Sequence, residues 1–146
     1  MYKSILVPLD GSKRAEAILP PVEDLAHRYE AEVIFMGVIE PEAMIFMAEP
    51  YYASFDEGRY KRLIAEVATY LDARCGEFRE MGIKAKTEVS QGPIVESIIR
   101  VAEREDVDLI AMASHGRTGL PQVFYGSVAA GVLHRVTRPL LLIRAV

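Results

Sequence analysis

The chain has 146 residues, of which 26% are charged and 51% hydrophobic, with 10 glycines, 8 prolines and a formal net charge of −4. This composition is typical of a globular protein and excludes a collagen-like or wholly disordered chain. The length predicts one domain over residues 1–146. Such a chain buries roughly 70% of the surface that its unfolded form exposes, so its fold needs neither disulfides nor a structural metal.

Charge and hydropathy also limit the expected partners. There are 17 basic and 21 acidic residues and no Lys/Arg block, which disfavours a nucleic-acid partner because phosphate backbones are bound by concentrated basic faces. The apolar runs are far shorter than the roughly 20 residues of a membrane helix, so no membrane insertion is expected. The first residues lack the apolar stretch of a signal peptide and the chain has a single cysteine, which together predict a cytoplasmic protein.

Five short apolar segments, all but the last followed by a segment of helical periodicity, predict an α/β fold. The third segment alternates apolar with charged or polar residues, as an edge strand does. The other four are continuously apolar and are expected inside a sheet or at a covered edge. Right-handed crossovers then give an open parallel sheet with helices on both faces. The predicted strands cover residues 2–8, 32–39, 83–89, 107–113 and 139–144.

Four helices are predicted between the strands. Pro20 and Pro21 are expected to bend or interrupt the first helix, because proline lacks an N–H group. Gly82 is expected at the C′ position of the second helix, and Pro93 at the N1 position of the third. The predicted helices run from the capping residues 10–12 to about residue 29, from about 56 to 81, from 93 onward, and from 126–127 to just before 139.

The segment from Glu40 to Phe55 fits neither a helix nor a strand. It contains large apolar and aromatic side chains interrupted by Pro41 and Pro50. Connections of this length are usually lids, binding loops or insertions. Two interpretations remain open: the segment packs over the sheet or against a neighbouring subunit, or it covers a ligand.

Polar and glycine-rich residues gather after the predicted strands, at the edge where open parallel sheets bind their ligands. Asp10, Gly11 and Ser12 follow the first strand. The segment after the fourth strand contains glycines at positions 116, 119 and 126 and then begins a helix with Ser127. Glycines let backbone N–H groups approach a phosphate, and a helix start favours its negative charge. The alternative is that they are ordinary turn and cap glycines.

Several better-known nucleotide motifs are missing from the sequence. There is no GxxxxGK[ST] phosphate loop, and no GxGxxG follows the first strand. Walker-type catalysis and a dinucleotide-binding fold are therefore disfavoured. A response-regulator receiver also fits poorly, because the third strand ends in Ser90 rather than in an acceptor aspartate.

Other polar side chains have less specific interpretations. His115 and Arg117 flank the glycine loop, where they either balance phosphate charge or are simply solvated. His27 and His134 lie in predicted helices with no partner at metal-ligand spacing, and a structural role is expected for both. Cys75 lies on the apolar face of the second helix and is expected to be an inert core thiol.

The two ends of the chain and the glycine loop together carry a family resemblance. Residues 5–12 read ILVPLDGS and residues 139–144 read PLLLIR, and the whole chain resembles a universal stress protein. The nucleotide-binding branch of that family has a G-x2-G-x9-G-[ST] motif, which falls here on Ala113, Gly116, Gly126 and Ser127. Ala113 departs from the motif and adds a methyl group where the strand would meet the nucleotide. The resemblance implies a Rossmann-like adenine-nucleotide-binding fold with strand order 3-2-1-4-5.

The resemblance also implies which residues hold ATP. Asp10 is expected at the ribose or adenine and Val38 at the adenine, through its backbone. Magnesium, if bound, is expected on the phosphates rather than in a protein cage. Met112 and Ala113 are expected to flank the base and sugar, and Pro8 and Leu9 are also expected among the nucleotide-binding residues. Those expected at the phosphates are Gly116, Arg117, Gly126, Ser127 and Val128.

The leading hypothesis is a stress-response regulatory module that binds ATP, hydrolyses it slowly or not at all, and is read by an unknown protein partner. The sequence shows no base that would activate water, so no catalytic residue is predicted. The alternatives are a genuine ATPase using Asp10 and His115, and a nucleotide-free dimeric scaffold. A homodimer is expected through Leu140 to Ile143, because the resemblance makes this strand an edge and it carries no protecting charges.

Overall fold

Strands and helices alternate along the chain in the computed structural model, which describes residues 1–40, 57–115 and 126–145. The segment from Glu40 to Phe55, whose two interpretations are given above, lies outside the described residues except for Glu40. The described strands are β1 (Ser4–Pro8), β2 (Glu32–Ile39), β3 (Ala85–Gln91), β4 (Leu109–His115) and β5 (Leu140–Ala145). A 3₁₀ turn (Ala15–Ile18) precedes α1 (Leu19–Tyr29), and the later helices are α2 (Glu57–Glu80), α3 (Ile94–Arg104) and α4 (Ser127–Arg135).

All five strands form one parallel sheet in the order β3-β2-β1-β4-β5. Leu6 in the central strand lies opposite Ile34 of β2 on one side and Ile110 of β4 on the other. The predicted fold class, a single-domain open five-stranded parallel sheet with helices on both faces, is therefore confirmed.

Alternate residues of the buried strands supply two cores on opposite faces of the sheet. Val7 and Phe35 pack towards α1 and α2, where the Phe35 and Phe78 rings meet edge to face with centroids 4.9 Å apart. Leu6 and Met36 pack towards α3 and α4. Because both faces are covered, the strands have the nearly continuous apolar sequences from which they were predicted.

The prolines test the predicted helix starts. The 3₁₀ turn ends before Pro20 and Pro21, which fall in the first turn of α1, where missing N–H groups leave no helical bond unmade. The expected interruption is confirmed. Pro93 is the N-cap of α3 rather than N1, because its ψ of 137° is extended and its carbonyl accepts the bond from Ser97 N.

Three strands, β1, β3 and β4, begin two residues later than predicted, and for β3 and β4 the reason is that the apolar residues before them complete helix ends. Ile83 N donates to Phe78 O at 3.0 Å and Val107 N donates to Ala102 O at 3.0 Å. Through these bonds both residues pair with the end of the preceding helix instead of with a neighbouring strand. With Gly82 at a φ of 81° and its N–H bonded to Arg79 O, α2 ends in the expected C′ glycine arrangement.

The two edges of the sheet have different chemistry. On β3, Lys86 lies 3.0 Å from Glu105, and Glu88 lies 2.8 Å from Arg104. Such partly exposed pairs contribute less than about 1 kcal/mol each, so they protect the edge more than they stabilise the fold. On β5, the residues from Leu140 to Ile143 are half-buried and apolar.

A glycine in β2 sets how closely α2 approaches the sheet. A Cβ atom at Gly37 would lie 2.5 Å from Val67 Cγ1 and 3.4 Å from Leu71 Cδ1. The first distance is well inside van der Waals contact, and the branched valine side chain has little freedom to move away. Any side chain at this position therefore has to push α2 off the strand.

We expect Gly37→Ala to lower the free energy of unfolding by about 1–3 kcal/mol, the usual cost of overpacking. Gly76→Ala, in the helix α2 that packs on Gly37, is the matched control, because a Cβ at position 76 meets nothing within 4 Å. It is expected to stabilise the protein by up to about 1 kcal/mol through helix propensity. Urea unfolding measures both changes, and a neutral Gly37→Ala would contradict the close approach.

Candidate functional site

A cleft lies at the carboxyl ends of β1 and β4, where the order of the sheet reverses. From this boundary the chain proceeds through β2 and β3 on one side and through β5 on the other. The cleft has a volume of about 130 Å³, whereas about 10–15 Å³ is enough for one water, so it accommodates a larger group. The described residues lining it are Pro8, Leu9, Asp10, Arg14, Ala15, Met36, Val38, Ile94, Ile98, Met112, Ala113, Ser114, Val128 and Ala129.

The walls of the cleft come from opposite faces of the sheet. Ala15 belongs to the 3₁₀ turn and packs with the core beneath α1 and α2. Ile98 and Val128 belong to α3 and α4 and pack with the other core. Among the described lining residues, Asp10 and Arg14 are the charged ones. The cleft is thus an apolar slot with one anionic and one cationic side chain.

Hydrogen bonds fix the Asp10 carboxylate within the loop after β1. Its Oδ1 accepts from Ser12 N at 2.9 Å and from Ser12 Oγ at 2.6 Å. Ser12 Oγ in turn accepts from Ala15 N at 3.2 Å, which caps the start of the 3₁₀ turn. Since Oδ1 is engaged in this turn, Oδ2 provides the acceptor capacity that Asp10 has for a ligand.

The other polar region of the cleft is the start of α4. Gly126 has φ 69° and ψ 155°, a combination essentially restricted to glycine. The helix then begins directly with Ser127 and Val128, and Gly126 supplies no side-chain cap. The first N–H groups of a helix have no partner within it and carry its positive dipole end, so this terminus favours an anion.

The structure brings most of the predicted site residues together. Gly126 and Ser127 immediately precede Val128 at the start of α4, while Gly116 and Arg117 lie outside the described residues, as does the side chain of His115. Ala113, the departure from the family motif, is half-buried in the cleft wall. The predicted residues that line the cleft are Pro8, Leu9, Asp10, Val38, Met112, Ala113 and Val128.

Arg14 and α3 line the cleft as well, although they were not predicted from the sequence. Ile94 and Ile98 line the cleft from α3, and helical periodicity does not reveal which end of a buried helix face meets a cleft. Arg14 comes one turn after Asp10, and this spacing after a strand end was the available signal for it.

The remaining singled-out side chains lie away from the cleft. Cys75 is 1% exposed in the core beneath α2, and burial raises the pKa of its thiol, as expected for an inert core cysteine. His27 Nε2 lies 3.0 Å from Met81 O, and His134 is exposed. The described part of the chain contains no group of three or more His, Cys, Asp or Glu residues suited to a metal ion. It also contains no helix that is long and apolar enough to cross a membrane.

A side-chain network ties α2 to the turn that borders the cleft. Tyr70 OH donates to Glu16 Oε2 at 2.5 Å, and Arg74 Nη1 lies 3.5 Å from the same oxygen. The Arg74 guanidinium also lies 5.4 Å from the centre of the Tyr70 ring. Burial and this hydrogen bond raise the pKa of Tyr70 well above its ordinary value. Because Glu16 follows Arg14 and Ala15 in the chain, the network fixes the backbone that carries these two residues.

The sequence and the fold both match a known family. The model of the universal stress protein family matches residues 1–144. The chain belongs to the universal stress protein family. Universal stress protein MJ0577 of Methanocaldococcus jannaschii is 30% identical to it, over 99% of this chain and 96% of that protein. The solved structure of MJ0577 has a TM-score of 0.83 and 32% identity, and the match covers 100% of this chain and 98% of that one.

Two more distant structures of universal stress proteins contain nucleotides. One is in complex with cAMP and has a TM-score of 0.68 and 18% identity, with 99% of this chain and 98% of that chain covered. The other, from Archaeoglobus fulgidus, is in complex with dAMP and has a TM-score of 0.63 and 17% identity, with 97% and 98% covered. At this level of sequence identity, the structural similarity shows that these proteins share the fold of this chain.

The Tyr70–Glu16 hydrogen bond makes a pH-dependent contribution to stability. Near neutral pH, Tyr70→Phe is expected to lower the free energy of unfolding by about 1 kcal/mol. Above the ordinary tyrosine pKa of 10.0, the unfolded chain ionises Tyr70 while the folded protein resists ionisation, so wild-type stability falls. The difference between wild type and Tyr70→Phe should therefore shrink as the pH rises from about 9 to 11.

Denaturant unfolding across this pH range measures the difference, and Tyr29→Phe, which removes a phenol at the surface, is the control. Stability curves for wild type and Tyr70→Phe that stay parallel would contradict the assigned environment of Tyr70.

Proposed function

We propose that this universal stress protein is a cytoplasmic regulatory module that binds an adenine nucleotide, with ATP as the expected ligand, in the cleft between β1, β4 and α4. The observation that carries the proposal is that an apolar slot adjoins the start of α4, whose first N–H groups have no partner within the helix. A nucleotide has the matching chemistry, because a flat base that favours burial is joined to an anionic tail.

The cleft offers a separate environment to each part of the nucleotide. The base fits against the apolar residues at the strand ends, such as Val38 of β2 and Met112 of β4. The free carboxylate oxygen of Asp10 can accept from ribose hydroxyls. The N–H groups of Ser127 and Val128 suit the phosphates, on which a magnesium ion would also sit. The cAMP and dAMP complexes of other family members support an adenine nucleotide as the ligand class.

The described lining residues suit binding better than catalysis. The carboxylate among the described lining residues belongs to Asp10, and its Oδ1 already accepts two hydrogen bonds from Ser12. A base for phosphoryl transfer has to position and deprotonate a water molecule in line with the phosphate. Hydrolysis is therefore expected to be slow or absent, and the bound state is expected to act on a protein partner in the stress response.

The edge position of β5 supports a homodimer as a second part of the proposal, because among the described strands it pairs only with β4. Ile110 N donates to Pro139 O, so the backbone groups of 139, 141 and 143 point to β4. Successive residues of a strand alternate, so those of Leu140 and Leu142 point to the open edge. The apolar side chains of this strand are only half-buried. A second copy adding its β5 across a two-fold axis would satisfy both the backbone groups and the apolar surface.

Gly126→Val is expected to weaken ATP binding at least about tenfold, or about 1.4 kcal/mol. A side chain forces the backbone out of its glycine-only conformation and moves the first N–H groups of α4. Gly82→Val is the control for backbone strain, because Gly82 also has a positive φ of 81° but lies at the opposite end of the sheet. Calorimetric titration of both folded variants measures the effect. Unchanged ATP binding by Gly126→Val would refute the phosphate position.

Wild-type protein is expected to be a dimer at tens of micromolar, and Leu142→Pro a monomer. Proline at this position removes a donor that faces the open edge and spares the bonds to β4. Leu141→Pro removes a donor that faces β4, and is expected to unfold the protein instead. Light scattering combined with circular dichroism distinguishes these outcomes. A monomeric wild type would overturn the dimer and leave the nucleotide site unaffected.

A further inference from the structure

Arg14 is the cationic side chain among the described residues that line the cleft. It is exposed and lies just before the 3₁₀ turn, on the side of the sheet that α1 and α2 cover. Val128, in the first turn of α4, lines the same cleft from the opposite side. A ligand between these walls therefore has an arginine on one side and a helix N-terminus on the other.

The backbone of Arg14, which lines the cleft, is held in place by hydrogen bonds. Arg14 O accepts from Ala17 N at 3.1 Å, and Ser12 O accepts from Glu16 N at 3.3 Å. Glu16 is itself tied to α2 through Tyr70. The bonds of the 3₁₀ turn and the contact of Glu16 with α2 therefore fix the backbone that carries Arg14 at the cleft.

The two charged lining residues have opposite signs and therefore suit different parts of a nucleotide. The Asp10 carboxylate accepts hydrogen bonds and repels phosphate, so it suits the hydroxyl groups of a sugar. The Arg14 guanidinium has donors only and matches phosphate oxygens in bidentate geometry. The N–H groups of α4 contribute to the same anionic end, but a helix terminus carries only about half a charge.

We propose that Arg14 contacts the phosphates of the bound nucleotide and gives the cleft its preference for nucleoside phosphates over the nucleoside. The inference rests on the proposed function and adds to it a specificity-determining residue. The residue that distinguishes nucleoside phosphates from nucleosides then lies in the loop after β1, opposite the start of α4.

The test compares ATP, ADP and adenosine by calorimetry with wild type, Arg14→Gln, Arg14→Lys and Lys13→Gln. Lys13 is the matched control, because it is the neighbouring exposed cation and is not among the cleft-lining residues. Arg14→Gln should weaken ATP and ADP binding about tenfold, or about 1.4 kcal/mol, and adenosine binding less than about twofold. Arg14→Lys should keep part of the preference, and Lys13→Gln should keep all of it.

Three results would overturn the inference. Equal losses for ATP and adenosine in Arg14→Gln would make Arg14 a structural residue, and equal ATP losses in Arg14→Gln and Lys13→Gln would indicate only long-range attraction. Both leave the proposed nucleotide site intact, because wild type still binds ATP. If wild type binds neither ATP nor adenosine, the proposed function fails together with the inference.

Discussion

The pairing of β1 with β4 is the constraint on which the whole cleft depends. The loop that leaves β1 turns towards the face covered by α1 and α2, and the loop that leaves β4 leads to α4 on the other face. Two adjacent strands whose continuations diverge leave a gap at their carboxyl ends. Both cores depend on this arrangement, since each helix pair needs an unbroken row of apolar side chains on its own face of the sheet.

Local backbone chemistry then gives the gap its polarity. The bonds from Ser12 to Asp10 hold a carboxylate at one side, and the conformation of Gly126 exposes a helix start at the other. Between these two regions the strand ends present apolar side chains such as Met36 and Met112. An amphipathic ligand with a buried base and a charged tail fits this distribution, whereas a wholly apolar or wholly charged molecule would leave one region unsatisfied.

Structural features that follow from a repeating sequence pattern, or from the chemistry of one residue type, could be predicted from the sequence. Continuous apolar runs identified the inner strands, and the alternation around Lys86 identified β3 as an edge. The position of Pro93 was wrong by one residue, because N-cap and N1 share the φ that proline fixes and differ in ψ, which its ring does not fix. The place of Arg14 in the cleft depends on the tertiary meeting of the 3₁₀ turn with β4, for which the sequence has no periodic signal. The strand order was available only through the family resemblance.

An amide NMR titration with ATP tests the proposed nucleotide site, because it reports on the backbone groups that line the cleft. The largest shifts of the amide signals are expected in the loop after β1, around Asp10 and Ser12, and in the first turn of α4, at Ser127 and Val128. Saturating ATP that leaves these signals unmoved, or that shifts mainly those around Gly82 at the opposite end of the sheet, would contradict the proposed site.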